Sequence, residues 1–321
     1  VDSTSQLIGA LRRSNHRGMV VAQYVVGDFV FETPLHRVYK CRSLIGGRSA
    51  RVKVVREEYQ AHRERLGFLA NPYVAELHAA SEIGTEYLPR HIEVGTTPAG
   101  EHFLIREPAP GISLEDLLAA KGQLSLAETI SVLADVGTAL ERLHALGVGQ
   151  INLHPTNIAV REASPGWSYS VQLVDLGGWA FLSQPAELPP DNLIAHPDFL
   201  TPEHAKNSNL IPSSDMFQMG VLFHLLLTGE HPLELDGASV EEALKHLGSG
   251  KRLRKKKLRD SLQGMPDEAD MLIGKLLTES VADRPGTADM LIRGMELVLK
   301  EWQSQNRDTP VPKELWNRIA R

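Results

Sequence analysis

Cysteine is almost absent from this chain of 321 residues, which has only Cys41. A lone thiol closes no intramolecular disulfide and supplies no cysteine-rich zinc site, so a stapled secreted fold is excluded and a reducing, cytoplasmic setting is expected. Aromatic residues are also few, at 6%. No run approaches the roughly 18 apolar residues of a membrane-spanning helix, and no basic-then-apolar leader opens the chain. It begins at Val1, as a domain excised from a larger protein would. Basic excess is lacking as well: 34 Lys and Arg stand against 40 Asp and Glu, a net charge of −6. Nucleic acid is therefore not an expected partner. What remains is ordinary globular material, 42% hydrophobic and 23% charged, long enough for one large domain or two medium ones.

The two halves have different periods. Short β-branched runs at 24–31, 37–41 and 51–55, broken by turn signals such as Gly46-Gly47, predict a three-stranded antiparallel meander. Residues 57–88 are helical in composition, with Pro72 marking a break or a helix start. Residues 91–94 and 102–106, separated by Thr97-Pro98-Ala99-Gly100, predict a further hairpin. After Gly111 long helices take over. Ile130, Leu133, Ala134, Gly137, Leu140 and Leu143 recur at steps of three and four, predicting an amphipathic helix over 125–146. The almost wholly apolar stretch 216–227 predicts a helix buried on every side, and 268–277 and 287–302 two more amphipathic helices. Short strands are expected at 158–160 and 171–174.

Several landmarks occur along this frame in a fixed order. Lys53 lies on the third strand of the meander, and Glu107-Pro108-Ala109-Pro110-Gly111 precedes a helix. Asn157 ends a loop and is followed by Val174-Asp175-Leu176-Gly177, Thr201-Pro202-Glu203, Asp215 and Asp283-Arg284-Pro285. In this order and spacing they resemble the protein-kinase superfamily, and bacterial Ser/Thr kinases in particular, over residues 24–302. The resemblance implies an α+β, bilobal fold. A small antiparallel β-sheet lobe with a helix (21–106) would precede a large, mainly α-helical lobe (107–302). Residues 1–20 would be an N-terminal extension and 303–321 a C-terminal tail.

The resemblance also implies roles. Lys53 matches the lysine that neutralises the α- and β-phosphates of ATP, against the plainer reading of a surface lysine. Its helix partner is Glu76 in one register and His62 in another; the first is preferred because it leaves 91–94 as a strand after the turn. Glu107 falls in the segment that borders the nucleotide. Asp175 and Asn157 match the carboxylate and amide that hold Mg²⁺, whose octahedron is completed by phosphates and waters. Glu203 and Arg284 match a buried ion pair, and Asp215 the residue that supports the catalytic loop from beneath.

The pattern breaks at the chemistry. Gln150-Ile151-Asn152-Leu153-His154-Pro155-Thr156-Asn157 stands where the family has His-Arg-Asp-Leu-Lys-Pro-x-Asn. Asn152 replaces the catalytic aspartate, and an amide is no base near neutral pH. Ile151 replaces the arginine that receives a phosphorylated activation loop, and His154 the lysine beside the moving phosphoryl group. Phe31, Thr33 and His36 occupy the glycine positions of the phosphate-cradling loop, where backbone must approach phosphate closely. The expectation is a pseudokinase that acts as a signalling scaffold or allosteric regulator of an unidentified protein partner, with ATP and Mg bound weakly or not at all. A divergent phosphoryl transferase and a purely structural module are the alternatives.

Two further signals carry less. Residues 251–259 hold seven basic side chains in nine, a candidate docking patch for an acidic surface, or a solvated stretch offset by Asp236, Glu241 and Glu242. The 13 histidines show no metal-ligand spacing, so no structural metal is expected.

Overall fold

The computed structural model describes residues 16–33, 35–65, 71–150, 152–164, 168–176, 197–206, 211–233, 235, 239–249, 256–258, 262, 264–307 and 310–320, with 62–65 by backbone alone. The architecture is α+β with sheet and helix segregated. Two compact units result, one built from residues up to Thr85 plus Pro89–Pro108, the other from Glu86–Leu88 and residues from Ala109 onward.

The first unit is a six-stranded antiparallel sheet, ordered β1-β2-β3-β4-β6-β5. Its strands are β1 (Val20–Val21), β2 (Tyr24–Glu32), β3 (His36–Ser43), β4 (Ser49–Val55), β5 (His91–Thr96) and β6 (His102–Arg106). Alternation places Val52, Val54, Phe103 and Ile105 on one face, packed with Val26, Tyr39 and Cys41 into a single core. Lys53 and Leu104, paired across β4 and β6, therefore point to the opposite face. Burial pushes the Cys41 thiol up to about 12, so it serves packing rather than chemistry. Two helices follow β4: α1 (Glu57–Arg65) and α2 (Tyr73–Ile83), with Pro72 at the start of α2. The expected extension is partly built in, since His16 is buried with its ring nitrogens on the Tyr39 hydroxyl (3.0 Å) and Glu101 Oε2 (2.8 Å).

The second unit is mainly helical. Its helices are α3 (Leu114–Lys121), α4 (Leu126–Ala145), α5 (Pro202–Ala205), α6 (Pro212–Thr228), α7 (Val240–Gly248), α8 (Asp267–Leu276), α9 (Ala288–Gln305) and α10 (Lys313–Ile319). Serines cap three of them. Ser125 and Glu128 form a reciprocal capping box at the start of α4, and Ser239 and Glu242 do the same for α7. Helix α6 is the core element: Met216, Phe217, Met219, Val221, Leu222 and Phe223 are all 0% exposed, as an all-round apolar run requires. A small sheet ordered β7-β8-β9 completes the unit, from β7 (Ile112–Ser113), β8 (Ile158–Ser164) and β9 (Ser168–Leu173). Gly111 enters β7 at φ +87°, and a Cβ there would meet the Val160 carbonyl oxygen at 2.0 Å, so only glycine fits this approach.

Two segments depart from expectation. Residues 303–321 are not a free tail: α9 runs on to Gln305, and α10 buries Leu315 and Ile319. The brief strand expected at 158–160 extends to Ser164, because β9 pairs with it as a hairpin. Most of the basic stretch 251–259 lies outside the described residues. Within it, Lys256 pairs with Glu230 at 3.3 Å.

Candidate functional site

Lys53 is held by a short, rigid strand and is 3% exposed. Its ammonium donates to Glu76 on α2 at 3.0 Å and 3.3 Å and stands 5.0 Å from the centroid of the Tyr73 ring. A buried ammonium without a carboxylate would be severely penalised, so this pair fixes α2 against the sheet. The structure thus joins Lys53 to Glu76; the His62 side chain lies outside the described residues. Sequence reasoning missed the third member. His91, at the start of β5, sets Nε2 3.2 Å from Glu76 Oε1 and Nδ1 2.7 Å from the Pro89 carbonyl. Glu76 is therefore shared between an ammonium and an imidazole.

The connection between β2 and β3 is a tight turn. Thr33 Oγ1 accepts from the N–H groups of Leu35 and His36, each at 3.2 Å. Arg56 fastens the turn to the end of β4, donating its N–H to the Leu35 carbonyl at 2.8 Å and Nη1 to the Thr33 carbonyl at 3.4 Å. Leu35 is buried, and the sequence carries no glycine from Thr33 to His36. Glu107 is more exposed: its carboxylate lies 3.8 Å from Arg90, and its carbonyl accepts from Arg106 at 3.1 Å.

In the second unit the loop 150–157 is hung from α6. Asp215, wholly buried, accepts from the Gln150 N–H at 2.9 Å and bonds His144 Nε2 at 2.7 Å. One turn on, Gln218 accepts from the Leu153 N–H at 3.0 Å and donates to the Phe199 carbonyl at 2.7 Å. Positions three apart share a helix face, so one side of α6 holds both ends of 150–153. The loop then reaches Asp175: Gln150 Nε2 donates to the Asp175 carbonyl at 2.6 Å, and the Val174 N–H to the Asn157 carbonyl at 2.8 Å. Asn157 Nδ2 donates to the Asn152 carbonyl at 3.0 Å. Asn152, Asn157 and Asp175 are thus brought into one hydrogen-bonded cluster. Among the described residues, the side-chain oxygen of Asn152 is buried and has no hydrogen-bond partner.

His154 is buried at the end of the loop. It caps the turn Pro155–Asn157, its Nδ1 accepting from the Thr156 N–H at 3.2 Å, and its ring meets Phe199 edge-on at 5.1 Å. The same Nδ1 lies 2.7 Å from the Thr156 hydroxyl.

Glu203 and Arg284 form a bidentate pair, and Arg284 also donates to the carbonyls of Ser213 (2.8 Å) and Thr278 (2.6 Å). Burial alone would raise the Glu203 carboxyl. The Arg284 guanidinium, with the Ser214 and Thr201 hydroxyls, outweighs it and holds the group below the ordinary carboxylate range.

Beside it, burial pushes the His204 imidazole down to about 4 from an ordinary 6.5, against the pull of Glu203 and Asp215. Its Nδ1 accepts from the Thr201 N–H at 3.0 Å, which only the neutral ring can do. The unfolded chain therefore takes up a proton between pH 6.5 and pH 4 that the folded chain refuses. Stability is complete above that window and falls through it by about 3 kcal/mol. Urea unfolding at pH 7 and pH 4 measures the loss, and His204→Asn, which cannot titrate, is expected to abolish most of it. An identical pH slope in the variant would show that the loss arises elsewhere.

Comparison with known proteins agrees with this geometry. The family model described as "Protein kinase domain" matches residues 35–294. A probable serine/threonine-protein kinase of Clostridium perfringens is 24% identical over 279 residues, covering 87% of this chain and 38% of the relative. A serine/threonine-protein kinase of Myxococcus xanthus is 25% identical over 288 residues, covering 88% and 51%. The chain thus spans about half or less of the length of these relatives. Among solved structures, the PknI kinase domain of Mycobacterium tuberculosis superposes with a TM-score of 0.62 at 17% identity, covering 88% of this chain and 97% of that one. With the Lys53–Glu76 pair, the Asn157–Asp175 loop cluster and the Glu203–Arg284 bridge in place, this chain belongs to the protein kinase family.

Proposed function

We propose that the chain is a pseudokinase that binds nucleotide weakly and acts as a scaffold or allosteric regulator of a protein partner, with little or no phosphotransfer. The observation that carries this reading is Asn152: an amide, its oxygen buried and without a partner among the described residues, stands where a carboxylate would take the substrate proton. The tight turn between β2 and β3 adds to it, since positioning supplies much of the catalysis in phosphoryl transfer. The basic stretch 251–259 is the proposed docking element for an acidic partner surface.

The ligand-holding residues fit ATP and Mg²⁺ in part. Lys53, presented by Glu76, suits the α- and β-phosphates, and Asn157 with Asp175 offers two oxygens to a hard cation. Those same residues favour a second reading, an active but divergent kinase, which the names of the relatives also support.

A thermal-shift titration with ATP, with and without Mg²⁺, tests the nucleotide half. A ligand at ten times its Kd adds about 1.4 kcal/mol to the native state. The expected result is a shift at millimolar ATP that Lys53→Met removes. No shift in the unmodified chain sinks nucleotide binding, leaving a structural module.

A further inference from the structure

The last helix is bonded to the strand that carries Asp175. Strand β9 is an edge of its sheet, and edge N–H and C=O groups need partners outside the ladder. Side chains provide them. The Tyr169 N–H donates to Ser131 Oγ at 3.1 Å, and its carbonyl accepts from the same hydroxyl at 3.2 Å. The Val171 N–H donates to Asp135 Oδ2 at 3.2 Å, and the Leu173 N–H to the Tyr87 carbonyl at 2.8 Å. Ser131 and Asp135 lie one turn apart on α4.

Arg318 of α10 joins the same set. Its Nη1 donates to Ser131 Oγ at 2.6 Å and to the Tyr169 carbonyl, and lies 3.5 Å from Asp135 Oδ2. One guanidinium thus supports both side chains that close the β9 edge. Leu315 and Ile319, spaced by four and both buried, keep the helix seated. Beyond Leu173 only Val174 intervenes before Asp175.

We propose that Arg318 is a positioning residue for Asp175, and that docking of α10 on α4 sets how well the chain holds a metal–nucleotide complex. The inference rests on reading Asp175 as the metal-holding carboxylate. The test uses the full chain with Arg318→Leu and the conservative Arg318→Lys. Hydrogen exchange of the 169–174 amides is read beside ATP affinity from thermal shifts with and without Mg²⁺.

In Arg318→Leu, exchange of the Tyr169 and Val171 amides is expected to rise about tenfold while α6 amides stay protected. ATP affinity is expected to fall about tenfold with Mg²⁺ and less than about twofold without it, and Arg318→Lys to recover most of the loss. Unchanged β9 exchange overturns the clamp. Raised exchange with unaltered metal-dependent affinity overturns the positioning role. So does an equal loss of both affinities that lysine does not rescue, which marks a general structural defect. If the unmodified chain shows no shift under either condition, the nucleotide reading itself fails and the role of Asp175 with it; the exchange data then decide the clamp alone.

Discussion

Replacing Asn152 with aspartate is expected to raise transfer of labelled phosphate from ATP to a basic protein substrate by about 100-fold over the unmodified chain. A positioned general base contributes roughly 10²–10⁴ in rate, and the lower end is expected because residues 33–36 carry no glycine that would let backbone approach a bound phosphate. The substitution is nearly isosteric. The bonds that shape the loop run through the Asn152 carbonyl, which accepts from Asn157 Nδ2 and the His154 N–H, and neither involves the side chain that changes. Adding Asp175→Ala to the Asn152→Asp background should abolish the gain. If the aspartate variant transfers no more than the unmodified chain, the missing base is not what limits it. If the unmodified chain already turns over at the 1–100 s⁻¹ typical of kinases, the pseudokinase reading falls and the divergent enzyme stands.

The second large effect is on stability. Arg284→Leu is expected to cost about 4 kcal/mol, since removing one member of a buried ion pair leaves the other uncompensated. Glu203 loses its guanidinium, and the Ser213, Thr278 and Glu279 carbonyls lose a donor each. Against a total of roughly 5–15 kcal/mol, that is enough to populate unfolded chain at modest temperatures. Urea unfolding followed by far-UV circular dichroism gives the value. Combining Glu203→Leu with Arg284→Leu should be less damaging than Arg284→Leu alone, because the stranded carboxylate disappears. A cost below about 1 kcal/mol for Arg284→Leu would place the pair among exposed bridges despite its burial.

The strands and long helices were legible because each is written in a local period. Alternation around Lys53 fixes which side of β4 it occupies, and the three-and-four spacing from Ile130 to Leu143 describes α4 almost to its ends. Landmark residues were legible for a related reason: Lys53, Asn157, Asp175 and Arg284 are identified by order and residue type, which survive in a linear string. The missed elements have weak local signals. Helix α10 is seven residues long, too short to hold by propensity, and forms because Leu315 and Ile319 find a buried seat.

Sequence alone therefore determined the α+β frame, the order of the family landmarks and the presence of an amide at position 152, all properties of residue identity and near-neighbour spacing. Only tertiary structure decided what the polar side chains do. His91 shares Glu76 across 15 positions, Gln150 carries Asp175 across 25, Asp215 holds the loop across 65 and Arg318 reaches Ser131 across 187. A buried donor or acceptor must find a partner wherever the fold brings one, and no periodicity in the chain encodes that meeting.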